Sequence, residues 1–205
     1  MTTTPLGSDD RASLVRRGLR LNALTLGYNA LEAVASILVG TVVGSVALMG
    51  FGLDSVIEVT AAGAARWRLR ADFDPSRRER VERATHSVIG WTFIALAVYV
   101  LYSSGKTLLL RERPERTAMG VAILALSVIV MPMLAQAKRR VAQGLSSSAL
   151  RADARQTSLC AYLSSIALGG VALNALVGWW WADPIAALIM VPIIAGEGLE
   201  GVRRT

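Results

Sequence analysis

The sequence predicts an all-α polytopic membrane protein with six transmembrane helices and both termini cytoplasmic. Three observations predict it. Of the 205 residues, 53% are hydrophobic and the mean hydropathy is +0.47, values outside the usual range of soluble domains. The charges are bunched, leaving nearly uncharged stretches at Leu21–Ala65, Ala84–Gly105, Thr117–Ala137, Gln156–Ala182 and Pro184–Gly196. About 20 apolar residues suffice for a helix to cross the hydrocarbon layer. The Lys and Arg residues also alternate in density along the chain, and that alternation assigns sides.

The first stretch, 45 residues long, is too long for one span and is broken by GTVVGS at Gly40–Ser45. It reads as a helical hairpin of spans 21–41 and 45–65. Spans 84–105, 117–137 and 156–177 follow, and the last, 180–197, holds only 13 uncharged residues. Its start is marked by Asp183-Pro184, an N-cap followed by proline at the first helical position. GWWW, Gly178–Trp181, reads as an aromatic belt at the bilayer surface. Residues 1–20 form a polar N-terminal segment, residues 21–199 the membrane domain and residues 200–205 a short tail. A polar start before a long apolar run fits a retained first helix rather than a cleaved signal peptide.

Of the 22 Lys and Arg residues, only Lys106, Arg111, Arg113 and Arg116 fall on one side, and the other 18 fall on the opposite side. The positive-inside rule then makes both termini cytoplasmic, as an even number of spans requires. The excess of basic charge reports topology and anionic lipid rather than nucleic acid. The single cysteine, Cys160, excludes an internal disulfide. No nucleophile–base pair or cofactor motif is evident, so no enzyme and no prosthetic group are expected.

A charge at the bilayer centre costs about 2.5–3.5 kcal/mol on the insertion scale, so each intramembrane ionisable group needs a reason. Asp54 and Glu58 stand at i, i+4 on one face of span two, after Gly50 and Gly52, which leave that helix thin. Asp153, Gln156 and Cys160 share one face of span five, which runs antiparallel to span two. Brought together, carboxylate, thiolate and amide oxygen make a site for a divalent transition metal, with Asp54, Cys160, Gln156 and Glu58 as ligands. Glu32 in span one, Asp153 and His86 are proton or ion relays on this reading. Each has a plainer role too. A buried cysteine is often a small hydrophobe, a glutamine can bond across helices, and Asp153 can complement the start of span five.

The pattern resembles the cation diffusion facilitator family of metal/proton antiporters. The resemblance is carried by the Gly44-Ser45 turn, by GFGLDSVIE around Asp54, by ADARQTSLCAYLSS in span five and by Asp183-Pro184-Ile185-Ala186-Ala187-Leu188. It implies six spans, a homodimer, and a metal site built from two side chains of span two and two of span five. Those positions fall here on Gly50, Asp54, Gln156 and Cys160, so one expected ligand is absent, and Glu58 or Glu32 would replace it. The family's large cytoplasmic C-terminal domain has no counterpart in this chain, so dimerisation is expected through the membrane part. The function implied is efflux of a divalent metal across a plasma or bacterial inner membrane in exchange for protons. Zinc is the first choice, with cadmium, iron or cobalt as others, since a thiolate disfavours magnesium and calcium. A transport-inactive scaffold or metal sensor and a proton-coupled carrier of small organic cations are the alternatives.

Overall fold

In the computed structural model the chain folds as six helices, α1 (Ser8–Val43), α2 (Val46–Arg70), α3 (Pro75–Leu110), α4 (Ala118–Gly144), α5 (Ser148–Val177) and α6 (Ala182–Arg203). The structure describes residues 8–70, 75–144 and 148–203, without the side chains of 8–12, 15, 61–70, 75–86, 148–150 and 152. His86 and the side chains of the basic connection from Arg66 to Arg83 therefore lie outside the described residues, as do residues 1–7 and 204–205.

Most of the helices outrun the apolar stretches that announce them. α1 starts at Ser8 rather than 21, α3 at Pro75 rather than 84 and α5 at Ser148 rather than 156, while α6 runs to Arg203 rather than 197. Hydropathy marks where hydrocarbon ends, whereas helix propensity continues through Arg-, Glu- and Ala-rich flanks. Among the described residues, α1 and α3–α6 each hold a stretch long and apolar enough to cross a membrane. α2 carries Asp54 and Glu58 and buries them.

The turns are built from a few local choices. Gly44 takes φ 70° between α1 and α2, and Gly178 takes φ 81° after α5, the left-handed conformation that ends helices. Trp179 and Trp181 stack after that turn, with ring centroids 5.2 Å apart. Asp183 corrects one expectation. It is the second residue of α6, and its carboxylate accepts the backbone N–H of Val46 (2.9 Å) and of Ala47 (3.4 Å) and the hydroxyl of Ser45. It caps α2 rather than α6, because α6 begins on Ala182 and packs its first turn against the start of α2.

α2 lies centrally, touching α1, α3, α5 and α6, while α4 pairs with α5 and α3 with α6. The core is Leu48 and Phe51 of α2, Leu124 and Met131 of α4, and Met190 and Ile194 of α6, all fully buried. Large apolar side chains such as Leu31, Val42, Leu109 and Leu176 stay exposed on the outside, the inverse arrangement expected of a bundle in lipid. Gly52 sets the α1–α2 distance. A Cβ there would stand 2.9 Å from Ile37 Cγ1 and 3.0 Å from Ile37 N, so only glycine admits α1 this close.

Candidate metal centre

That close approach brings the inner face of α1 onto the acidic face of α2. Asn29 donates to Glu58, Nδ2 to Oε2 at 2.7 Å, and Ser55 donates to Glu32, Oγ to Oε2 at 3.0 Å. From the other side, α5 presents Cys160. Asp54 is 3% exposed, Glu58 6% and Cys160 0%. One ligating atom from each of these three lies within 4.8 Å of the others.

Of the residues singled out in the sequence, the structure thus brings Asp54, Glu58 and Cys160 together. Gln156 is half-buried one turn before Cys160 on α5. Glu32 is buried but stands outside the three-atom group, which Glu58 joins. Gly50 faces α3, where an added Cβ would meet Val100 Cγ2 at 3.0 Å. Asp153 does not serve the start of α5, which lies a turn earlier at Ser148. It pairs instead with Lys138 of α4, 2.9 Å from Nζ to Oδ2.

Lys138 is the residue that sequence reasoning placed wrongly. Counted in the sequence among the 18 basic residues of one side, it is buried inside the bundle at 4% exposure and bonded to Asp153 and to Thr157 Oγ1 (3.1 Å). Asn29 and Ser55 were missed as well. A signal for α1 was available: Thr25, Asn29, Glu32 and Ser36 are buried polar residues at spacings of 4, 3 and 4, a polar stripe of helical period.

Two carboxylates and a thiol in a dry interior form a mixed oxygen and sulfur donor set. It suits borderline transition metals better than magnesium or calcium, which prefer all-oxygen cages. An outer partner is present too. Asn29 holds Glu58 from α1.

A helical membrane bundle with a buried cluster of two carboxylates and a thiol defines the class: an integral membrane protein with an intramembrane polar site. Residues 23–205 match the family described as the cation efflux transmembrane domain, and the chain belongs to that family. It is 28% identical over 153 residues to the uncharacterized transporter sll1263 of Synechocystis sp., covering 72% of this chain and 49% of the relative. It is 27% identical over 197 residues to the uncharacterized transporter YdbO of Bacillus subtilis, covering 90% and 66%. It is 26% identical over 108 residues to the cation-efflux pump FieF of Shewanella oneidensis, covering 51% and 35%. The matched region is therefore between about a third and two thirds of these relatives' own length.

Proposed function

We propose that this chain moves a divalent transition metal through the membrane by exchange with protons, binding it between α2 and α5. Asp54, Glu58 and Cys160 are the ligands, with Gln156 as a neutral oxygen donor. The observation that carries this reading is the convergence of three ligating atoms within 4.8 Å, all buried, in a chain of the cation efflux family. Zinc is the first candidate ion, and cadmium, iron and cobalt fit the same donors. Both termini face the cytoplasm, the direction is efflux, and two copies pair through their membrane domains.

The mechanism follows from charge. Carboxylates and a thiol in a low-dielectric cavity hold protons while no cation is present. A dication needs deprotonated ligands, so its entry expels protons. Rocking of the helices exposes the site to the other side, where protons return and the metal leaves. Asp54 is the shared carrier of metal and proton, and Glu58 stays oriented by Asn29.

Flux of zinc, cadmium, iron and cobalt in proteoliposomes under a pH gradient tests the reading. Wild type moves at least one of them, Asp54→Ala loses flux, and Cys160→Ala changes the order of preference among metals. Metal binding without flux for any ion would replace transport with a scaffold or sensor role. Flux of an organic cation indifferent to Cys160→Ala would remove the metal altogether.

A further inference from the structure

The outer faces of α4 and α5 carry arginines that no acid of either helix neutralises. α4 contains no Asp or Glu, and the one acid of α5, Asp153, is held by Lys138. Arg139 of α4 reaches across to α5, where its Nη2 donates to Ser158 Oγ at 2.6 Å. Ser158 turns its own hydrogen back to the Ala154 carbonyl, 2.7 Å away, which leaves its oxygen to accept. Arg151 and Arg155 precede Ser158 by two turns and one turn on the same stripe of α5, and both are exposed. Among the described residues, neither they nor Arg139 form an ion pair. Deeper along that stripe come Tyr162, 64% exposed, and Gly169, where an added Cβ would meet nothing within 4 Å. The apolar stretch of α5 begins at Asp153 and that of α4 ends at Gly144. The three arginines therefore stand where hydrocarbon gives way to headgroups.

We propose that Arg139, Arg151 and Arg155 form a binding site for one anionic phospholipid, whose phosphodiester they hold while an acyl chain follows α5 past Tyr162. The site does not depend on the metal centre. A guanidinium offers five N–H donors in a planar fork that matches phosphate oxygens, and Ser158 takes up only one of those on Arg139. That bond also fixes the fork at the α4–α5 seam before any lipid arrives, so less freedom is lost on binding. A zwitterionic headgroup would bring a cation to a surface with no acid to receive it. A soluble phosphate would gain nothing from the apolar stripe below the arginines, which is why the occupant is a lipid. Arg16, Arg17 and Arg20 of α1 are equally exposed, but their helix also carries Asp9 and Asp10. General attraction to an anionic bilayer would treat the two groups alike, whereas a built site singles out the seam.

The test is native mass spectrometry of the full chain, delipidated in detergent and titrated with phosphatidylglycerol or phosphatidylcholine. Wild type takes up phosphatidylglycerol with about tenfold preference or more. Arg139→Gln with Arg155→Gln weakens that binding by roughly twentyfold, at about fivefold for each arginine. Arg16→Gln with Arg20→Gln stays within about twofold of wild type, the mark of a site rather than of total charge. Arg139→Lys keeps the charge without the fork and falls between wild type and the double variant. Photoactivatable phosphatidylglycerol supplies a second readout on wild type alone, should the double variant fail to fold, and its labels are expected on α4 and α5 around Arg139 and Arg155. Equal losses in the two double variants, equal uptake of the two lipids, or labels spread evenly over the six helices overturns the proposal. Displacement of the lipid by inorganic phosphate at matched concentration also overturns it, since the occupant would then be a free anion.

Discussion

Asp183 Oδ1 lies 2.9 Å from the backbone nitrogen of Val46, so an acid at the start of α6 caps α2. Ser45, the residue before α2, bonds the same carboxylate and also receives the N–H of Leu48 at 3.1 Å. Two side chains, one local and one from 138 positions away, together satisfy the free N–H groups of the helix that carries Asp54 and Glu58. The ends of the central helix and of α6 are thereby tied.

Removing that tie strips the start of α2 of its buried acceptor. Asp183→Ala is expected to lower stability by roughly 1–3 kcal/mol, the range for losing a cap and leaving buried donors unpaired. Asp183→Asn keeps one acceptor oxygen and falls between the two. Thermal unfolding of the purified chain in one detergent measures both, and equal stability of Asp183→Ala and wild type contradicts the cap.

The Asn29–Glu58 bond makes Asn29 an orienting partner of a proposed ligand without touching the ion itself. Asn29→Ala should weaken zinc binding by about tenfold or more, as outer partners of metal ligands do. Isothermal titration checks this, with an unchanged melting temperature separating orientation from folding.

Cys160 supplies the only sulfur at the site. In Cys160→Ser a harder oxygen replaces it, so affinity for cadmium and zinc should fall more than affinity for manganese. Competition among the metals for wild type and variant gives the order directly. A uniform loss across all of them would make Cys160 a packing residue.

Lys138 and Asp153 form a buried pair whose members differ in exposure, 4% against 27%. Lys138→Met leaves Asp153 and Thr157 without their donor and should destabilise the bundle by about 1–3 kcal/mol, less than for a fully buried pair because water reaches Asp153. Lys138→Met with Asp153→Leu should recover much of that loss, since two apolar residues leave no uncompensated charge. Chemical denaturation of the single and double variants is the measurement.

Metal binding to protonated ligands must depend on acidity with a definite sign. Protons leave as the ion enters, so zinc affinity rises with pH, and the slope of its logarithm against pH equals the number of protons released. A flat profile would mean that the ligands are already bare before the metal arrives.

The helical hairpin, the six helices and the class of membrane protein were legible in the chain because lipid imposes a length and a hydropathy that local sequence must satisfy. Asp54 and Glu58 stood out for the same reason: an acid within an apolar span is costly wherever it points. Their spacing placed them on one face, and Gly52 signalled that a neighbour comes close. The pairing of that face with Cys160 depended on how α2 and α5 rotate against each other. Local sequence does not encode that rotation, so a shared site was an inference until the helices were docked.

The tertiary structure alone decided the rest. Lys138 sits in a basic run and reads as part of a loop, yet α4 continues to Gly144 and turns its ammonium inward to Asp153 and Thr157. Asp183 has the sequence of a cap for its own helix, and it caps another because the two helix starts meet. Glu58 joins Asp54 and Cys160 while Glu32 stands aside, although both are buried acids. Composition and period set what must be buried and on which face. Which buried group meets which is set by packing between elements far apart in the chain, and only the docked helices contain it.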